Sequence, residues 1–540
     1  MIAVSLAWII DQVNAKHTGG VTPQATADIV IKSVSIDTRT LQKGDLFIAL
    51  VGPNFNGHDY IRAAAEKGAG AVIVSEMTDT VNLPTLLVAD TRIALGQLGA
   101  AVKQKLAPKT IGITGSSGKT TVKEMVYAIL STRGKVLATK GNFNNDIGVP
   151  LTLLALTQQH DYAVIEMGAN HQGEIEYTCQ LVKPDVATIV NAAPAHIEGF
   201  GSLFGVARAK SEIIKGLGSE AVAILNHDSQ FFEFWQGKSS TKQILTFSYE
   251  SNKGDFHANN TSINQEGCAE FELVTPIGKV AIKLRVPGVH NVGNAVLSAA
   301  LAISAGANLA NVQKGLFNMQ SVAGRLAVKL ITPNVRVLDD TYNANVGSVK
   351  AAIDLLASFK GFRVFVFGDM GELGDQASMY HQQIGEYALD NNIDALISCG
   401  PLSVHASSAM QDKGMACANN AAGFEALIKL IGPICSQVTT TDNPGAVAQS
   451  LFLSDSSTQL EQTQAVTILV KGSRSAKMEE VVEALMAFDF SPTDEDISSA
   501  PLSEDSPLES SSSNEKASIN NSTIDDLPPD ASLKDKKDSA

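Results

Sequence analysis

Residues 110–125, Thr-Ile-Gly-Ile-Thr-Gly-Ser-Ser-Gly-Lys-Thr-Thr-Val-Lys-Glu-Met, constrain the fold of this chain more than any other stretch. The apolar run through Ile111 and Ile113 reads as a buried strand, Gly115, Ser116, Ser117 and Gly118 as a tight loop, and the residues from Thr120 onward have helical spacing. A strand, a glycine loop and a helix in that order aim backbone N–H groups and the positive end of the helix dipole at an anion. Lys119 adds a point charge between phosphates, and Thr120, followed by Thr121, offers a hydroxyl to a magnesium ion. The general pattern G-x-x-x-x-G-K-[ST] asks for glycine at position 113, where this chain has Ile113; the tighter form T-G-x-x-G-K-T-T points to a subset of ATP users. The plainer alternative is a glycine turn before an ordinary helix.

A chain of 540 residues has room for three or four domains, and 44% hydrophobic residues is ordinary for an α/β protein. No apolar run is long enough for a membrane span, and the N-terminal stretch reads as neither a secretory signal nor an anchor, so no membrane insertion is expected and the location is expected to be cytoplasmic. Five scattered cysteines without C-x-x-C pairing read as reduced thiols in cores. The net charge of −15 is unevenly spread: residues 491–540 hold twelve Asp or Glu against four Lys, a balance of −8, which leaves −7 for the rest. That acidic, serine-rich tail lacks periodicity and is expected to be disordered. No basic stripe is present, so no nucleic-acid partner is expected.

The spacing predicts an α/β fold in three domains with a disordered acidic tail. Residues 1–107 form a small α/β N-terminal domain, 108–324 a central P-loop ATPase-like parallel sheet, 325–489 a C-terminal Rossmann-like doubly wound sheet, and 490–540 the tail. In the first domain a helix is expected at 6–13 and another from 58 to 67. Ser35-Ile-Asp-Thr-Arg39 places a carboxylate, hydroxyls and a guanidinium within five residues, suited either to a phosphorylated ligand or to a surface Asp37–Arg39 pair.

In the central domain, the asparagine-rich loop 139–150 lies at a strand end beside the phosphate loop. Glu166 ends an apolar strand where a magnesium-orienting acid belongs, or is a solvated acid at a strand end. His196 follows a third strand and is expected to look into the same cleft, while Lys210, by position alone, reads as a surface charge on a helix. Asn294, near a helix start, either caps that helix or reads a purine edge. In the C-terminal domain the strand ends carry Asp339-Asp-Thr-Tyr-Asn-Ala-Asn345, Gly368-Asp-Met-Gly-Glu-Leu-Gly374 and Lys471-Gly-Ser-Arg-Ser475.

Over roughly residues 1–488 these motifs resemble, in order, the ATP-dependent muramyl-peptide (Mur) ligases of bacterial cell-wall synthesis. The resemblance is carried by Thr114–Thr121, Gly141-Asn-Phe-Asn-Asn-Asp-Ile-Gly148, Glu166-Met-Gly, His196-Ile-Glu-Gly-Phe-Gly, His290-Asn-Val-Gly-Asn294, Gly324-Arg325 and Asp340-Thr-Tyr-Asn-Ala-Asn345. Within the family, Asp37-Thr-Arg39, Gly368–Gly374 and Val470-Lys-Gly-Ser-Arg474 are most similar to the branch that joins D-alanyl-D-alanine to a UDP-N-acetylmuramoyl-tripeptide. Thr441-Asp-Asn-Pro444 is followed by Gly445, where the sibling that adds a diamino acid has arginine.

The resemblance implies ATP as phosphoryl donor and an acyl-phosphate intermediate on the tripeptide. It implies that the Gly115–Gly118 amides, Lys119 and Thr121 hold phosphates, that Thr120 and Glu166 hold one magnesium, and that His196 holds a second. It further implies that Lys210 is carbamylated to help set the second ion, that Asn294 reads adenine, Arg325 touches the γ-phosphate and Asp340 the ribose, and that Asn145 lies near the transferred phosphate. Ser35, Thr38 and Arg39 would contact the UDP-sugar, and the C-terminal domain would bring in the dipeptide. A monomer acting on small molecules is expected. The competing readings are the sibling ligase for a single diamino acid, a folate polyglutamate ligase, and a nucleotide-gated scaffold without catalysis.

Overall fold

The computed structural model describes residues 1–19, 23–77, 82–194, 197–241, 243–264, 266–436 and 465–490. The acidic tail, the Thr441–Pro444 motif and His196 lie outside these residues. The chain is an α/β protein with three principal sheets.

The first sheet has five strands: β1 (Lys16–Gly19), β2 (Val34–Ser35), β3 (Leu46–Ile48), β4 (Ala71–Val74) and β5 (Thr85–Leu87), in the order β1-β5-β4-β3-β2. The expected helix Leu6–Val13 is present, started by Ser5, whose hydroxyl accepts from Trp8 N at 3.2 Å. The expected 58–67 helix is split. Asn56 Oδ1 accepts from His58 N at 3.0 Å and starts a tight turn over Gly57–Tyr60, and the α-helix runs only over Ile61–Glu66.

The second sheet has nine strands: β6 (Lys109–Thr114), β7 (Val136–Ala138), β8 (Tyr162–Glu166), β9 (Val186–Ile189), β10 (Val222–Asn226), β11 (Gln243–Ser248), β12 (Phe256–Ile263), β13 (Cys268–Thr275) and β14 (Gly278–Pro287). Their order is β7-β8-β6-β9-β10-β11-β12-β13-β14, parallel as far as β12 and then an antiparallel meander. Every residue of β8 is buried, as a strand covered by helices on both faces must be, whereas β14 alternates exposed and buried residues because one face meets solvent. β6 lies between β8 and β9, where the strand order reverses. The loops leaving β6, β8 and β9 therefore open a crevice at the carboxyl ends of the strands, the usual ligand position in an open α/β sheet.

The third sheet has β15 (Ala327–Thr332), β16 (Val335–Asp340), β17 (Phe362–Gly368), β18 (Ala395–Cys399), β19 (Gly414–Cys417) and β20 (Val466–Lys471), in the order β15-β16-β20-β17-β18-β19, parallel except for β15. The parallel register sets Lys471 directly opposite Asp340.

Cys179, Cys268 and Cys399 are buried and unpaired, and Cys417 is half-buried. Burial pushes the thiols of Cys179 and Cys399 up to about 12, which keeps them protonated and inert, as core thiols should be. Among the described residues, no helix is long and apolar enough to cross a membrane.

Candidate functional site

The phosphate loop is shaped by β9. Ser116 N donates to Asn191 O at 3.1 Å and Ser117 N to Asn191 Oδ1 at 3.0 Å, while the Ser116 hydroxyl donates to Ala193 O at 3.0 Å. Gly118 precedes helix Lys119–Leu130 with φ of +77°, a conformation costly for any residue with a Cβ, and no side chain caps the helix. Its first N–H groups therefore remain for a ligand. Lys119 Nζ donates to Gly115 O at 2.7 Å, folded back onto its own loop. Burial pulls its pKa below the usual lysine range; Glu166 opposes that shift and Arg325 adds to it.

Beside the loop the Thr120 hydroxyl joins three elements. It donates to Glu166 Oε2 at 3.0 Å and accepts from Arg325 Nη2 at 3.1 Å, and the Arg325 guanidinium lies 4.2 Å above the Tyr342 ring. Glu166, 2% exposed, is thus no solvated acid. Its N–H donates to the Thr139 hydroxyl at 3.0 Å, and its Oε1 accepts from Asn144 Nδ2 at 2.8 Å.

The amide that reaches this site is therefore Asn144. Asn145 Oδ1 instead accepts from Gly148 N at 2.8 Å and from Ile147 N at 3.3 Å, turned onto the backbone that leads into the Gly148–Leu154 helix. Sequence alone missed Asn144, because two adjacent asparagines in one loop offer the same chemistry. Replacing Asn144 by alanine removes a charge-assisted hydrogen bond from a buried carboxylate. Activity is expected to fall about tenfold, with folding intact by circular dichroism; unchanged kinetics would remove Asn144 from the site.

Ser116–Thr121, Arg325, Asn294, His290, Asp340 and Lys471 line one cavity of about 220 Å³, reached from both the second and third sheets. Asn294 lies inside helix His290–Ser304, whose first residue follows Val289, so it is not a cap; its Nδ2 donates to Asn291 Oδ1 at 2.9 Å. Asp340 and Lys471 form a buried ion pair in this wall. A second cavity shares Ser116, Lys119, Asn343 and Asn345 with the first and extends toward Glu372 and Arg474. Lys119 thus stands between two spaces.

Lys210 is not the surface charge that its position suggests. It is 2% exposed in helix Leu203–Lys215, with Nζ 5.5 Å from the centre of the Phe200 ring. Glu212 pins that helix by accepting from Gly173 N at 2.7 Å and Glu176 N at 3.0 Å. Among the described residues no carboxylate pairs with Lys210; burial, then repulsion from Lys119, lowers its pKa to about 7 against the pull of Glu212 and Glu174. Ser35, Thr38 and Arg39 lie apart from this cavity. Ser35 bonds the Asp37 backbone, Thr38 O accepts from Lys67 Nζ at 2.7 Å, and the exposed Arg39 forks onto Asp37 at 2.7 Å.

An anion loop at the reversal point of one parallel sheet, sharing a cavity with strand ends of a second, defines a phosphate-loop enzyme with an added α/β domain. Models of the Mur ligase family catalytic domain, the Mur ligase middle domain and the Mur ligase, glutamate ligase domain match residues 30–118, 113–302 and 324–474. The UDP-N-acetylmuramoyl-tripeptide--D-alanyl-D-alanine ligase of Escherichia coli (strain K12) is 45% identical over 485 residues, covering 90% of this chain and 99% of that protein. The enzyme of the same name from Haemophilus influenzae is 41% identical over 489 residues, with 90% and 99% covered. A crystal structure of MurF from Acinetobacter baumannii superposes with a TM-score of 0.80 at 35% identity, over 90% of this chain and 99% of that one. The MurF ligase from Thermotoga maritima, solved in complex with ADP, gives 0.71 at 26% identity, over 84% and 97%. The chain belongs to the Mur ligase family.

Proposed function

We propose that the chain is an ATP-dependent ligase that joins D-alanyl-D-alanine to the C-terminal carboxylate of UDP-N-acetylmuramoyl-tripeptide, in the cytoplasmic assembly of peptidoglycan precursors. The observation that carries this reading is the Thr120–Glu166 pair beside Lys119, reached by Arg325 from the neighbouring cavity wall, in a chain 45% identical to a relative named for that reaction.

A carboxylate does not form an amide directly, because oxide is a poor leaving group. Its oxygen instead attacks the γ-phosphorus of ATP, giving an acyl phosphate and ADP. The dipeptide amine then attacks the acyl carbon, and the tetrahedral adduct loses phosphate and a proton. The protein's part is positioning and charge neutralisation. Lys119 and the N–H groups of Gly115–Thr121 hold the β- and γ-phosphates, and Arg325 the γ-phosphate. Asn294 reads adenine and Asp340 the ribose.

Thr120 Oγ1 and Glu166 Oε2 are hard oxygen donors 3.0 Å apart, a pair that would hold a magnesium ion. Bound there, the ion would neutralise charge on the phosphates. A second magnesium would be held by His196 and Lys210. An ammonium would repel it, so Lys210 fits that role only as its carbamate.

In the same reading residues 1–107 bind the UDP-sugar through Ser35, Thr38 and Arg39, 108–324 bind ATP, and 325–489 deliver the dipeptide. The test is phosphate release with ATP, the UDP-tripeptide and candidate amines. Turnover that depends on D-alanyl-D-alanine is expected. Turnover only with a free diamino acid selects the sibling activity, and ATP binding without turnover selects a scaffold.

A further inference from the structure

Two adjacent acids end β16, and the pleat sends them to opposite faces. Asp339 is taken up on one side by Lys329 Nζ at 2.8 Å and by the Thr341 hydroxyl at 2.7 Å. Asp340 lines the nucleotide cavity, and there it meets Lys471, its register partner on β20. Lys471 is 1% exposed. Its Nζ pairs with Asp340 Oδ2 and donates to Asn343 O at 3.0 Å, so one ammonium fastens both the acid and the loop that follows it.

Among the described residues, the other cationic side chains of this wall are engaged elsewhere, Lys119 by Gly115 O at 2.7 Å. Burial pushes the His290 imidazole below its usual range, which leaves it neutral, and Arg325 is engaged by Thr120 and Tyr342. Among the described residues nothing donates a hydrogen bond to Asp340 Oδ1. A buried carboxylate with one oxygen tied and the other open is an acceptor of fixed direction. It repels phosphate and selects a neutral donor such as a sugar hydroxyl. Without the ammonium that fastens one oxygen, the carboxyl is free to turn, and an acceptor without a fixed direction no longer discriminates.

We propose that Lys471 is a specificity-determining positioning residue: by clamping Asp340 and the Asn343 carbonyl, it makes the site demand a ribose hydroxyl on the nucleotide. The proposal rests on the reading of Asp340 as the ribose contact.

The test compares KM for ATP, 2′-deoxy-ATP and 3′-deoxy-ATP in the intact enzyme and in Lys471→Met and Lys471→Gln. The glutamine variant keeps a donor for Asn343 O should the methionine variant fail to fold. Wild type is expected to show a KM raised about tenfold for at least one deoxy analogue, the loss of a hydrogen bond to a charged group. In a folded Lys471 variant that ratio is expected to fall below about threefold, with KM for the UDP-tripeptide within about twofold of wild type and with selectivity regained in Lys471→Arg. A merely structural lysine would shift all three nucleotides together and leave the ratio at its wild-type value, which overturns the proposal. If wild type itself shows no preference for the hydroxyls, the ribose reading of Asp340 falls, and this proposal with it.

Discussion

Replacing Lys119 by methionine is expected to lower kcat by at least about a thousandfold while the protein stays folded. The stem of the side chain packs in the loop, and methionine keeps that volume, so what is lost is the ammonium alone. That ammonium donates to Gly115 O at 2.7 Å and to Ser116 O at 3.5 Å, two carbonyls it can exchange for phosphate oxygens. Its pKa is lowered by burial and by Arg325, a penalty that a bound triphosphate removes. If Lys119 holds the β- and γ-phosphates as proposed, the interaction strengthens as negative charge develops on the leaving β-phosphate oxygen, which is the condition for lowering a barrier rather than only tightening binding. Phosphate release measures the loss, and circular dichroism with thermal melting checks the fold. A Lys119→Met enzyme within tenfold of wild type would move the phosphate chemistry away from this loop.

The phosphate loop was legible because its geometry is local: one strand, four residues and one helix, each with a conformational reason in its own residue type. Glu166 was legible for a similar reason, since an acid ending a wholly apolar strand must either be solvated or have partners. What could not be read was the choice between neighbours. Asn144 and Asn145 have the same chemistry, and only the path of the loop turns one onto Glu166 and the other onto the backbone N–H of Gly148. Asp339 and Asp340 are distinguished only by the pleat of a strand whose register with β20 is set across 131 residues of sequence. The burial of Lys210 was hidden as well, because it depends on Glu212 fixing one helix against the start of another. Conversely, the Asp37–Arg39 spacing admitted both a ligand site and a surface pair, and the structure holds the two side chains as an exposed pair.

Lys210→Ala is expected to cost at least about a hundredfold in kcat, to leave the melting temperature unreduced, and to be partly rescued by formate or acetate. A lysine without a described carboxylate partner, 2% exposed and repelled by Lys119, is a liability as an ammonium, so truncation relieves a penalty while opening a cavity. With its pKa lowered to about 7, a substantial fraction of the amine is neutral near neutral pH. The neutral nitrogen can attack carbon dioxide, forming an N–C bond and releasing a proton, and the product is an anion. On the proposed reading, carbamylation would reverse the sign of the interaction with Lys119 and would supply the oxygen donors that a second magnesium would need. A short carboxylate diffusing into the vacated space supplies the same charge, which is why rescue should follow size and charge rather than basicity. Below about pH 6 the amine is protonated and the modification should be lost, whereas bicarbonate should restore activity to enzyme prepared in carbon dioxide-free buffer near neutrality. A carbon-13 carbamate resonance after labelling with carbon-13 bicarbonate, present in wild type and absent from the alanine variant, separates this chemistry from a packing effect. Full activity in Lys210→Ala, or a loss that no small carboxylate repairs in an enzyme without that resonance, would return Lys210 to a structural role.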